Sequence, residues 1–248
     1  MHLALKNKEF KLFLQPKYNL KDDKLIGAEA LVRWQNPDGS YRYTGEFIPL
    51  FESNGFCLKL YMYMVEKVCK QIRSWIDAGV KPIHISVNQS KLLFSDRNYP
   101  NNLEQITKKY NVPPSLITLE ILEGVATSDM DFLNQQIEAL HEKGFKVSMD
   151  NFGSGYSSLN MLYQLKIDEL KLDRGFLRKV SQDNNERRQI ILEQIIRFAK
   201  KLGITTVAEG IETQEDKNNM ESLDCDYGQG YFYEKPINAE EFSIKYMS

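Results

Sequence analysis

Seven polar residues stand against apolar surroundings in a pattern that can do chemistry: Glu29, Asn88, Glu120, Asp150, Lys171, Glu209 and Gln229. Five of them fall at or just beyond the carboxyl end of a short apolar segment, Gln229 falls just before one, and Glu29 lies inside one. Alternation along an extended chain puts Glu29, Leu31 and Arg33 on one face. It also sets Thr118 and Glu120 against Ile117, Leu119 and Ile121, and Lys171 and Asp173 against Leu170 and Leu172. Carboxylates gathered at one spot repel each other and raise one another's pKa unless cations lie between them. An all-oxygen set with no cysteine and almost no histidine selects a hard ion, Mg²⁺ or Mn²⁺, over zinc. A single glutamate in a strand is most often solvated or salt-bridged. Six such positions in register on successive strands predict a metal site instead.

The elements that must position these groups read as follows. Phe10–Gln15 and Leu25–Trp34 are extended and apolar, separated by the polar turn Lys21-Asp22-Asp23, which predicts an antiparallel hairpin. Helical periodicity over Phe47–Ala78 is broken near Asn54-Gly55. Further strands are predicted at Pro82–Val87, Leu116–Leu122, Lys146–Met149, Glu169–Leu172, Thr205–Ala208 and Gly230–Tyr233. The helices between and after them fall near Leu103–Tyr110, Asp131–Lys143, Ser157–Leu165, Asn185–Leu202, Thr213–Leu223 and from Ala239. Repeated strand–helix units at this length favour an α/β barrel, and no glycine-rich dinucleotide fingerprint supports an open sheet. Such a barrel builds its sites on the rim where the acids lie. No linker or repeat divides the chain, so residues 1–248 read as one barrel domain.

Composition bounds the function. With 42% hydrophobic residues the chain is no disordered segment. It has no apolar run of the roughly 18 residues needed to span a bilayer, so direct membrane insertion is not expected. A net charge of −2 argues against bulk attraction to polymeric nucleic acid. Cys57, Cys69 and Cys225, odd in number and scattered, read as reduced thiols of a cytoplasmic protein.

The chemistry-bearing residues sit in blocks that resemble the EAL domains, the bacterial cyclic di-GMP phosphodiesterases. Glu29-Ala30-Leu31, continuing as Val32-Arg33-Trp34, resembles the motif that names the family. Gln15-Pro16, Phe47-Ile48-Pro49, Asn88-Gln89-Ser90, Glu120-x-x-Glu123, Asp150-Asn151-Phe152-Gly153, Lys171-Leu172-Asp173, Ala208-Glu209-Gly210-Ile211-Glu212 and Gln229-Gly230-Tyr231 follow in order and spacing. The resemblance implies a TIM-like (β/α) barrel with an antiparallel first strand and a two-metal site for Mg²⁺ or Mn²⁺. Glu29, Asn88, Glu120 and Asp150 would hold one cation; Asp150, Asn151 and Glu209 would share a second. Lys171 would orient or deprotonate the attacking water, Glu123 would anchor the loop from Gly153, and Glu212 would line the catalytic centre. Gln15, Leu31, Arg33, Asp173 and Gln229 would contact the dinucleotide. A homodimer and an upstream sensory or GGDEF domain in a longer native protein would also fit the family.

Two residues depart from the family pattern. Asn151 stands where a second Asp is usual, so the second cation should bind more weakly by about 2–3 kcal/mol, the scale of a charge-assisted contact. Tyr61, placed by spacing, replaces an Asp that accepts hydrogen bonds from a guanine, and a phenol cannot supply two acceptors. The leading expectation is a phosphodiesterase impaired by Asn151. The alternative is a catalytically weak or inactive domain serving as a cyclic di-GMP receptor or a protein-interaction module.

Overall fold

The hairpin that opens the chain is also what closes the barrel. In the computed structural model, which describes residues 1–122, 130–153, 159–175 and 186–247, strands β1 (Phe10–Asn19) and β2 (Leu25–Gln35) pair antiparallel from Phe10↔Trp34 to Tyr18↔Leu25. The turn between them is fixed locally: Asn19 Oδ1 accepts the Lys21 N–H at 2.8 Å, and Asp23 takes φ 53°. A two-residue edge strand β3 (Tyr41–Arg42) adds to β2.

From β2 the sheet runs parallel through β4 (His84–Asn88), β5 (Ile117–Leu122), β6 (Lys146–Phe152), β7 (Glu169–Leu172), β8 (Thr205–Glu209) and β9 (Tyr227–Gln229). Strand β9 then pairs antiparallel with β1, which completes an eight-strand ring, and β10 (Ile237–Asn238) lies outside it on β1. The first strand is thus antiparallel to both neighbours. The ring is the expected TIM-like (β/α) barrel.

Helices cover the outside of the barrel: α1 (His2–Lys6), α2 (Thr44–Ser53), α3 (Cys57–Asp77), α4 (Lys91–Phe94), α5 (Tyr99–Tyr110), α6 (Met130–Glu142), α7 (Leu159–Gln164), α8 (Glu186–Lys201), α9 (Gln214–Ser222) and α10 (Ala239–Tyr246). Among the described residues none is long and apolar enough to cross a membrane. The packing follows strand alternation. Ile85, Val87, Ile117, Leu119, Ile121, Val147, Met149, Leu170 and Leu172 are fully buried against the helices. The intervening positions Ser86, Thr118, Glu120, Ser148 and Lys171 are also buried, and polar. The barrel axis is therefore polar where most barrels carry branched apolar layers. An aromatic group of Phe10, Trp34, Phe47, Phe51 and Phe56, with centroids 4.8–6.4 Å apart, fastens α2 and the start of α3 to the hairpin.

The strand expected at Gly230–Tyr233 is a correction. The last barrel strand is Tyr227–Gln229, and Tyr231–Tyr233 form a turn in which Tyr233 and Glu234 donate to the Gly230 carbonyl at 3.1 and 3.2 Å. Gly230 makes this possible, because a Cβ there would lie 2.0 Å from the Ile211 carbonyl oxygen. Gly230→Ala should therefore destabilise the fold by about 1–3 kcal/mol, as overpacking does. An unchanged denaturation midpoint would contradict that close approach.

Candidate active site

Four strands deliver carboxylates to one ammonium group. Lys171 of β7 is completely buried, and its Nζ lies 3.1 Å from Glu29 on β2, 3.1 Å from Glu120 on β5, 2.9 Å from Asp150 on β6 and 2.8 Å from Glu209 on β8. Around this hub Asn88 donates to Glu29 Oε1 at 2.9 Å and Gln229 donates to Glu29 Oε2. Asn151 donates to Asp150 Oδ2 at 3.1 Å. The register explains the convergence: Asn88 sits beside Glu120, Gln15 beside Glu29, and Glu209 beside Gln229. The pairing of β6 and β7 shifts between Met149 and Phe152, and Asn151 there takes φ 59°. That irregularity re-aims Asp150 and Asn151 at the rim, and Asn is one of the few residues that adopts this backbone readily.

Burial and charge pull these groups apart electrostatically. Burial penalises the Glu29 charge, but the ammonium groups of Lys171 and Lys17 and the Gln229 hydrogen bond outweigh it and hold the carboxyl at about 2. Burial, reinforced by Glu29, raises Glu120 to about 7. Burial also raises Glu209 to about 8, against the pull of Lys171. Burial opposes the Lys171 charge as well, yet Asp150, Glu120, Glu209 and Glu29 together push its pKa well above the ordinary lysine value. Lys171 therefore carries its charge among the four carboxylates.

Two cavities share the wall formed by Glu29, Leu31, Asp150 and Asn151. One, of about 380 Å³, is mostly apolar and adds Ile48, Pro49, Tyr61, Met64 and Asn88. The other, of about 290 Å³, adds Gln15, Arg174, Glu209, Glu212, Gln229 and Tyr231. Tyr61, placed by spacing alone, does face the cluster, and burial together with nearby Glu52 raises its phenol pKa.

Some expected members stand elsewhere. Arg33 lines neither cavity: its guanidinium lies over the Phe13 and Tyr43 rings, 5.7 and 5.0 Å from their centroids, and donates to the Val32 carbonyl at 2.9 Å. Asp173 lines neither cavity, and its Oδ1 accepts the Gly175 N–H at 2.7 Å. Glu123 lies outside the described residues. Two residues escaped the sequence reading. Arg174 pairs with Glu212 on the wall of the smaller cavity. Lys17, buried on β1, has its Nζ 3.4 Å from Glu120 and 3.1 Å from Glu169. Its signal was its parity with Gln15.

The donor set suits a hard divalent cation in chemistry: four carboxylates, two amides, no thiol and no imidazole. Glu120 Oε2 and Asp150 Oδ1 are buried facing the Lys171 ammonium at 3.1 and 2.9 Å and accept no other hydrogen bond, and a half-turn of either Asn side chain presents its oxygen in place of its N–H. Among the described residues no three acidic, His or Cys side chains close on a point by themselves, because the acids turn to Lys171. The cysteines are free and buried, and burial raises Cys225 to about 11, away from nucleophilic use.

The EAL domain profile matches residues 2–236. Signaling protein YkoW of Bacillus subtilis is 32% identical over 239 residues, which is 96% of this chain and 30% of its own length. The bifunctional diguanylate cyclase/cyclic di-GMP phosphodiesterase MucR of Pseudomonas aeruginosa is 33% identical over 238 residues, 96% of this chain and 34% of its own. The chain thus spans about a third of the length of these curated relatives. A solved structure of the MucR phosphodiesterase in complex with c-di-GMP superposes with a TM-score of 0.90 at 32% identity and covers 97% of both chains. The chain belongs to the EAL domain family.

Proposed function

We propose that this chain is a metal-dependent phosphodiesterase that hydrolyses cyclic di-GMP to linear pGpG in the cytoplasm, at a rate lowered by Asn151. The observation that carries the reading is the meeting of Glu29, Glu120, Asp150 and Glu209 on Lys171 at the carboxyl rim, flanked by two cavities. A two-base ligand with a charged middle matches that two-lobed shape. The relatives named above, one of them a phosphodiesterase solved with c-di-GMP, support the choice of nucleotide.

In this reading Glu29, Asn88, Glu120 and Asp150 would hold one Mg²⁺ or Mn²⁺, and Asp150, Asn151 and Glu209 would hold a second. When bound, such cations supply an acidified water and charge neutralisation for in-line displacement at phosphorus. Lys171 donates toward the attacking water and holds the carboxylates in place. Gln15, Leu31, Arg174, Gln229 and Glu212 line the wall on the side of the smaller cavity. Tyr61 faces the apolar lobe, where it offers a base a stacking surface.

Asn151 and Tyr61 favour a second reading, a receptor that binds the nucleotide and turns it over poorly. Titration calorimetry with cyclic di-GMP tests what the two readings share. Saturable heat at one nucleotide per chain is expected, and its absence at millimolar nucleotide would leave only a protein-interaction role.

A further inference from the structure

We infer that Lys17 and Glu169 position Glu120 from beneath the site, so that one carboxylate oxygen is held and the other is presented to the cation. The inference rests on the reading of Glu120 as a cation ligand. Lys17 is 3% exposed and Glu120 is 1% exposed, in the polar axis of the barrel. The Lys17 ammonium lies 3.4 Å from Glu120 Oε1 and 3.1 Å from Glu169 Oε1, so it bridges the two. Glu120 Oε2, the oxygen on the other side, faces the hub, 3.1 Å from Lys171 Nζ. Glu169 reaches this chain of charges from the opposite mouth, where it lines a cavity of about 480 Å³ with Lys81, His84 and Lys146. His84 is exposed at that mouth.

A buried lysine so close to a cation site invites a simpler account, in which it is only a repulsive charge. The two accounts predict opposite signs. By Coulomb's law alone, removing an ammonium group should strengthen cation binding. If Lys17 fixes the orientation of Glu120, removing it frees Oε1 and lets the carboxylate rotate away from the hub, and cation binding weakens. Groups that orient a metal ligand are commonly worth about 10- to 100-fold in metal affinity.

The test is Mn²⁺ binding to the full chain without nucleotide, read from the free-ion signal in electron paramagnetic resonance. Lys17→Met should bind Mn²⁺ about 10- to 100-fold more weakly than the unaltered protein. Lys17→Arg, whose fork can span the two carboxylates, should recover most of the loss. The double variant Lys17→Met/Glu169→Gln leaves no unpaired charge at position 169, so it serves if the single variant does not fold, and it should bind as weakly as Lys17→Met. Mn²⁺ affinity equal to or above that of the unaltered protein, in either methionine variant, would overturn the inference. An unaltered protein that binds no Mn²⁺ would instead remove Glu120 as a ligand, and the inference with it.

Discussion

Lys171→Met should lower the unfolding free energy of the metal-free protein by about 3–5 kcal/mol, the cost of leaving buried charge without its partner. Four carboxylates lie 2.8–3.1 Å from that ammonium. The loss should depend on pH in a stated direction. Glu120 and Glu209 are already raised, to about 7 and about 8 from an ordinary 4.5, with burial as the first cause. A carboxyl whose folded pKa exceeds its unfolded value stabilises fully below the unfolded pKa, and that contribution disappears as pH rises through the folded one. Without Lys171 the acids rise further, so the variant can keep them neutral near pH 5 and must charge them unpaired at higher pH. The deficit should therefore be small at pH 5 and large at pH 8, measured by denaturant unfolding in chelator. A deficit equal at both values would mean that Lys171 contributes only packing. Hydrolysis by the same variant should fall by at least about 100-fold, as when an oriented donor to the reacting centre is removed.

Asn151→Asp should raise turnover at limiting metal by about 30- to 160-fold, which is what about 2–3 kcal/mol of added cation binding is worth. The substitution fits the backbone, because Asp tolerates the left-handed φ of 59° as Asn does. It also exchanges the Asn151 N–H donated to Asp150 Oδ2 at 3.1 Å for a second carboxylate at that spot. The metal-free variant should accordingly be less stable than the unaltered protein, and Mn²⁺ should reverse the order. Melting curves with chelator and with Mn²⁺ check the stability, and initial rates across a metal titration check the turnover. A variant no faster at any metal concentration would dissociate Asn151 from the rate.

Much of this site was legible in the sequence because it depends on alternation, a local property. The apolar partners of Glu120 and Lys171 fix which face those residues take, and the ring of strands then brings them together. The hairpin was legible for the same reason, since the turn carries its own hydrogen bonds. What alternation cannot supply is reach. Arg33 shares the face of Glu29, but its long side chain settles over Phe13 and Tyr43. Lys17 shares the parity of Gln15, but only the closure of β1 between β2 and β9 carries it to the axis. The aromatic run at Tyr231–Tyr233 has the composition of a strand. Its turn is imposed by the contact of Gly230 with Ile211, nineteen residues earlier in the barrel rim and invisible in the local pattern.

The most direct measurement is a single-turnover reaction with cyclic di-GMP, protein in excess, and saturating Mn²⁺, followed by chromatography of the nucleotide. Linear pGpG should accumulate in one exponential phase, and chelator added at any point should stop it. Cyclic di-GMP that is bound by the protein and recovered intact after prolonged incubation would contradict the phosphodiesterase reading and leave a receptor in its place.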